Sequence, residues 1–218
     1  MINKKSKIVD MHMHTLESDG TISLKDLLDE VLKNEIQVFS ITEHETMANT
    51  SEAKKFANEN QLTYITGVEL TVNSNGRKHI LGYGVDENSD ELISVMLKNL
   101  QVVCEGRDDI PENFVSPKEA IDAILSASGV PILAHPGCLI YGPDYKTYIN
   151  QMIAYGVQGI ECYHPENSKE VTEYCLEKCR ELDLYITGGS DYHGNCHPDR
   201  KLNMMGLSLS DLNLKELI

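Results

Sequence analysis

The chain is predicted to fold as an α/β protein, an irregular closed β/α barrel formed by one domain spanning residues 1–218. Two observations lead there. Short apolar runs alternate with helical patterns along the whole chain, the signature of strand–helix units that build a parallel sheet. Imidazole and carboxylate side chains recur at the ends of those runs, from residue 10 to residue 193. A closed barrel gathers all such strand ends on one rim, whereas an open sheet scatters them along a wide crevice. At about 30 residues per unit, the chain holds about seven units.

Strand-like runs cover residues 7–12, 37–42, 62–66, 79–85, 130–134, 158–163 and 184–187. Helical patterns lie between them at 23–34, 50–60, 116–128, 144–155 and 168–182. Ser116-Pro117-Lys118-Glu119 is a capping box with proline at the first helical position, and Ser23-Leu24-Lys25-Asp26 is a weaker version. Asn75-Gly76 reads as a tight turn. Segment 86–114 carries no site-type motif. Residues 90–103 have a helical pattern, and the polar stretch after them is an insertion, a lid or a plain surface connection.

The chain has 19 Lys plus Arg against 34 Asp plus Glu, a formal net charge of −15. So acidic a surface repels duplex nucleic acid. Three divalent cations would add six positive charges inside one cleft and attract a small anionic substrate locally. No stretch approaches the roughly 20 apolar residues of a membrane span. The basic start has no apolar run behind it, so a cytoplasmic enzyme is the expectation. Six cysteines without a Cys-x-x-Cys pair fit a reducing compartment, and Cys138, Cys162 and Cys196 read as packing residues.

The chemistry sits in short segments. In an extended strand His12 and His14 share one face, with Asp10 beside them as an orienting acceptor or a ligand. Asp19 follows in a polar turn, and His44 lies between Glu43 and Glu45. Glu69, in an apolar run, would cost several kcal/mol to bury unpaired, and a cation removes that cost. His79 begins one strand and His135 ends another; each alone reads more often as a satisfied core histidine, and neither carries weight by itself. Asp191 and His193 repeat the same-face spacing after Gly188-Gly189. Imidazole and carboxylate donors without thiolates suit manganese, zinc or iron.

Taken in order, these segments resemble the PHP (polymerase and histidinol phosphatase) family of metal-dependent phosphoesterases. The matching pieces are Asp10-Met-His12-Met-His14, Ser18-Asp19-Gly20, Thr42-Glu43-His44-Glu45, Gly67-Val-Glu69 and His79-Ile-Leu-Gly82, then Ala134-His135-Pro136, Gly159-Ile-Glu161 and Ser190-Asp191-Tyr-His193. The resemblance implies an irregular (β/α)7 TIM-like barrel holding three divalent metal ions. His12, His14, Glu69 and Asp191 would hold one ion. Glu69 would bridge to a second, completed by His79 and His135, and Asp19, His44 and His193 would hold the third. Asp19 stands where histidinol-phosphate-type members have His, which favours the branch acting on small phosphate esters and nucleotides. Glu43 and Glu45 replace the commoner Asp residues.

The expected reaction is hydrolysis of a small phosphomonoester, such as a nucleotide or nucleoside bisphosphate, by a hydroxide held between cations. His164, Asp191 and His193 are the candidate catalytic residues, with His164 as proton donor to the leaving group. His197, Arg200 and Lys201 are candidates for phosphate contact. Rival expectations are a histidinol-phosphate phosphatase, an amidohydrolase-type hydrolase with the same His-x-His strand, and a non-catalytic metal-binding domain.

Overall fold

The computed structural model describes residues 7–74, 76–108, 110–138 and 144–218; Asn75 of the expected turn lies outside them. Among the described residues eight strands and six long helices follow in the order β1 Ile8–Asp10, α1 Leu24–Lys33, β2 Ile36–Phe39, α2 Thr50–Glu59, β3 Thr63–Tyr64, β4 Gly67–Asn73, β5 Arg77–Tyr83, α3 Asp90–Cys104, α4 Pro117–Ser126, β6 Val130–Leu133, α5 Tyr145–Tyr155, β7 Gly159–Tyr163, α6 Lys169–Glu181 and β8 Tyr185–Gly188. Every helical pattern read from the sequence is a helix. The expected capping box is present, with Ser116 and Glu119 each closing on the other's backbone N–H.

The strands form two sheets, ordered β1-β2-β3 and β4-β5-β6-β7-β8. Hydrogen bonds beyond the strand ends join them at both seams. His14 N–H donates to the Tyr192 carbonyl (2.8 Å) and Met11 N–H to the Gly188 carbonyl (3.2 Å), linking the ends of β1 and β8. Glu69 N–H donates to the Glu43 carbonyl (3.0 Å) and Glu45 N–H to that of Glu69 (3.1 Å), linking the chain after β2 to β4.

Two expectations are corrected. The sheet is not wholly parallel, because β4–β5 is an antiparallel hairpin and β5–β6 is antiparallel too. Site residues do not all close their strands, since Glu69 and His79 are each the third residue of theirs. The reversed direction of β5 brings its first half to the rim where the parallel strands end.

Alternation along the strands sorts the core. Val68, Leu70 and Val72 of β4 and Ile160 and Cys162 of β7 pack outward against α3–α6. Glu69 and Glu161 therefore point inward. An inner cluster of Met11, Val38, Leu81, Tyr83, Ile132 and Tyr185 forms the floor, and the Tyr83 hydroxyl donates to the Met11 carbonyl (2.8 Å). Leu92, Val95, Met96 and Val102 of α3 are buried, and Asn99 ties that helix to the Thr71 carbonyl and the Val115 N–H. The 86–114 segment is thus packed against the outside of β4.

Candidate metal centre

At the rim, a cavity of about 190 Å³ is lined by Asp19, His44, Glu69, His79, His135, Cys138, His164, Asp191, His193, His197 and Arg200. His12 and His14 lie directly beneath, fully buried. The fold allows this because β8 runs hard against β1: a Cβ on Gly189 would stand 2.5 Å from the His12 backbone nitrogen. Glu45, His135 and Asp191 hold positive φ angles of 55°, 26° and 50°, local strain of the kind concentrated at functional sites.

Glu69 sits at the centre. Its Oε2 is 3.1 Å from His12 Nε2, 3.2 Å from His14 Nε2 and 3.4 Å from His44 Nε2. Its Oε1 is 3.0 Å from His135 Nε2 and 3.1 Å from His79 Nδ1. One carboxylate thus faces five imidazoles from four parts of the chain. Burial works to raise its pKa, but the charges on His44, His12 and His79 overcome that and hold it well below the usual value.

The hydrogen bonds fix which imidazole nitrogen can serve as a ligand. His12 Nδ1 lies 2.9 Å from Glu161 Oε1, and a carboxylate accepts, so Nδ1 carries the proton. The Nε2 lone pair then faces only acceptors: Glu69 Oε2, Asp191 Oδ1 at 3.2 Å and His14 Nε2 at 3.1 Å. His193 repeats the pattern. Nδ1–H donates to the Asp191 carbonyl (2.8 Å), and Nε2 points at Asp19 Oδ1 (3.2 Å). Acceptors crowded on acceptors require a positive centre among them, a proton or a metal ion. The electrostatics agree. Burial opposes charge on His12 and His14, yet the neighbouring carboxylates raise His12 well above its usual pKa and His14 to about 10.

His164 is different. Its Nδ1 accepts from Glu166 N–H (3.1 Å), so Nε2 carries the proton and donates to Asp191 Oδ2 (3.2 Å). No acceptor crowding remains, and burial lowers its pKa. It borders the cavity without joining the donor cluster.

The nine candidate ligands lie around one site but group differently from the expectation: His44 joins Glu69 and His79, His14 joins Asp19 and His193, and His135 falls in none of the donor sets although its Nε2 is 3.0 Å from Glu69 Oε1. Three sets bring donor atoms within 4.8 Å of one another: His12, His14, Glu69 and Asp191; His14, Asp19 and His193; and His44, Glu69 and His79. His44 Nε2 is 3.4 Å from Glu69 but 3.7 Å from Asp19, so it stands between the second and third positions. Of the phosphate candidates, His197 and Arg200 line the cavity, whereas Lys201 is exposed and does not. The Arg200 guanidinium pairs with Asp191 and Glu166.

Four supporting residues were not assigned from sequence. Glu43 accepts from Thr15 N–H (3.1 Å), the Thr15 and Ser18 hydroxyls (2.5 Å each) and the Asn49 amide (2.7 Å), buckling the loop that carries Asp19. Glu161 holds His12, Glu166 holds Arg200, and Asn167 accepts from Gly137 N–H (2.7 Å). Asp10 accepts from the N–H groups of Ser190 and Asn203 (2.9 Å each), so it anchors backbone rather than an imidazole ring. A lone glutamate in an apolar strand was the available signal for Glu161, the same signal that marked Glu69.

Comparison with known proteins accords with this arrangement. The chain is 23% identical to a phosphoribosyl 1,2-cyclic phosphate 1,2-diphosphodiesterase of Eggerthella lenta, covering 86% of this chain and 94% of that protein. It is 23% identical to a 3′,5′-nucleoside bisphosphate phosphatase of Chromobacterium violaceum, covering 85% and 87%. It is 33% identical to a 5′-3′ exoribonuclease of Salmonella typhimurium, covering 87% and 86%. Among solved structures, a Bifidobacterium adolescentis protein described as a metal-dependent phosphoesterase superposes with a TM-score of 0.75 at 22% identity, covering 91% and 92%. The PHP domain model matches residues 10–120, about half of the chain, and the chain belongs to the PHP domain family.

Proposed function

We propose that this protein is a metal-dependent phosphoesterase that hydrolyses a small phosphomonoester, a nucleotide or nucleoside bisphosphate, at a site for three divalent ions. The observation that carries the reading is the set of acceptors turned on one another around Glu69, Asp191 and Asp19. The two joined sheets read as one irregular seven-unit barrel, with the β4–β5 hairpin occupying the place of one unit. His12, His14, Glu69 and Asp191 would hold the first ion. Glu69, His79, His135 and His44 would hold the second, and Asp19 and His193, with His14 or His44, the third.

Divalent ions bound there would supply Lewis acidity and a water acidic enough to act as nucleophile at neutral pH. The chain's own residues do the rest. Arg200 offers a planar fork of donors at the cavity wall, and His197 stands beside it, both suited to phosphoryl oxygens. His164, with its one proton on Nε2, presents that N–H at the cavity edge, where it would stabilise a departing alkoxide by a hydrogen bond while water supplies the proton. Asp191 receives that N–H and the Arg200 guanidinium, so hydrogen-bond donor and phosphate contact are set by one carboxylate.

The small cavity and the strongly acidic chain favour a compact anion over a duplex. A second reading, a phosphodiester such as the end of a single RNA strand, is favoured by the exoribonuclease and diphosphodiesterase relatives. Among the described residues no helix is long and apolar enough to cross a membrane.

A phosphate-release assay on the metal-loaded protein tests this. Substrates would be nucleoside monophosphates, 3′,5′-bisphosphates, histidinol phosphate and a short 5′-phosphorylated RNA, with an amide as control. Turnover of a nucleotide monoester that stops on chelation is expected. Cleavage of RNA alone would favour the second reading, and amide hydrolysis without phosphate release would overturn both.

A further inference from the structure

Glu161 lies outside every donor set, yet its carboxylate touches two different ion positions. Oε1 receives His12 Nδ1–H at 2.9 Å, and Oε2 receives the backbone N–H of His135 at 2.8 Å. Both oxygens are buried, and the residue is 0% exposed. The His135 backbone that it holds has a positive φ of 26°, an uncommon conformation for a residue other than glycine. Asn167 adds a second clip between the same two segments. Its amide donates to the carbonyls of Glu161 and Cys162 (3.0 Å each) while its oxygen receives Gly137 N–H.

We infer that Glu161 is a positioning residue that couples two ion positions, by fixing the His12 tautomer with one oxygen and the His135 turn with the other. This deepens the metal reading above and rests on it. The count of donors and acceptors requires this. A carboxylate is the only side-chain end that offers an acceptor at both oxygens. Glutamine has one oxygen. If that oxygen receives His135 N–H, the amide NH₂ faces His12 Nδ1, which must give up its proton to accept. Nε2 then carries the proton and turns an N–H toward Glu69 and Asp191, where a ligand lone pair is needed. If the oxygen receives His12 instead, two donors meet at His135 and the strained turn is released. Either way one contact is broken directly, and Glu69, whose two oxygens face His12 Nε2 and His135 Nε2, passes the disturbance to the other position. The Asp19–His193 position shares no contact with Glu161 and should be spared.

The test compares wild type, Glu161→Gln and Glu161→Asp by zinc titration calorimetry on metal-free full-length protein, with thermal unfolding to verify the fold. Aspartate retains the charge but is one methylene shorter, so it reaches one partner and not both. In both variants, binding at two positions should weaken by roughly 10- to 100-fold while the third is unchanged. In zinc-loaded wild type, ¹⁵N NMR should report a proton on His12 Nδ1. A purely structural role would leave both that signature and the zinc affinities in place in Glu161→Gln, whereas the inference requires zinc binding to weaken, with the proton moved to Nε2 wherever glutamine keeps the His135 N–H. Unchanged zinc affinities in the folded variants, or weakening confined to one position, would overturn the coupling. If Glu161→Gln does not fold, Glu161→Asp decides by the same criteria. A wild-type chain that takes up no zinc would instead overturn the metal reading, and the inference with it.

Discussion

His193 Nε2 faces Asp19 Oδ1 across 3.2 Å, although the Asp191 carbonyl has already fixed the His193 proton on Nδ1. A lone pair and a carboxylate do not attract without a positive charge between them. The same arrangement recurs at His12, where an imidazole and two carboxylates ring the free nitrogen. A proton can serve at each place. A divalent ion serves better, because it satisfies three or four acceptors at once.

Replacing His164 with asparagine should leave metal content unchanged, because both ring nitrogens are already satisfied by Glu166 N–H and Asp191. Turnover should fall roughly 100-fold on an alkyl phosphate, the ordinary worth of a preorganised hydrogen-bond donor to a developing oxyanion. The loss should be much smaller on p-nitrophenyl phosphate, whose leaving group delocalises its charge. Steady-state kinetics on both esters check this, and equal losses would remove His164 from leaving-group stabilisation.

Arg200→Lys should raise KM more than it lowers kcat. A lysine ammonium cannot span Glu166, Asp191 and a phosphoryl oxygen as the guanidinium fork can. A lost charge-assisted hydrogen bond is worth about 1.5–3 kcal/mol, roughly a 10- to 100-fold rise in KM. Initial rates across a range of substrate concentrations read the split directly.

Glu45 gives a prediction about pH. Burial is the main cause that pushes its carboxyl up to about 8, against the lowering effect of Thr71 N–H. The folded chain therefore holds a proton that the unfolded chain releases near the ordinary glutamate value of 4.5. Between those two values the group's contribution to stability declines as pH rises, by at most about 1.4 kcal/mol per pH unit. Glu45→Gln keeps an acceptor for Thr71 N–H and carries no such proton. The stability of Glu45→Gln relative to wild type should grow from pH 4.5 to pH 8 in denaturant titrations of the metal-free protein. A constant difference would refute it.

Much of this architecture was legible in the residues. The helices followed from capping boxes and amphipathic spacing, and the gathering of the nine candidate residues at one rim from their recurrence beside apolar runs. Strand direction was harder to read. Residues 67–73 alternate Val68, Leu70 and Val72 with Gly67, Glu69 and Thr71, a clear strand pattern, but it follows 62–66 so closely that the two merge. The true first strand is only Thr63–Tyr64. That β5 runs backward, and so delivers His79 from its first half, depends on pairing with β4 and β6, which no local signal encodes. The ion grouping was partly legible for the same reason. His44 can be placed near the rim from its motif, but its 3.4 Å approach to Glu69 depends on the parallel bridge between the chain after β2 and β4. The roles of Glu43, Glu161 and Glu166 depend on distant partners and emerge only from the folded chain.

The central claim is that Glu69 joins two ion positions, and elemental analysis of purified protein measures it most directly. Wild type, dialysed against trace metal and then buffer, should retain close to three divalent ions per chain. Glu69→Gln should lose at least two of them together with phosphate release. A folded wild-type chain with no bound transition metal, or a Glu69→Gln variant with wild-type metal content and turnover, would contradict the account.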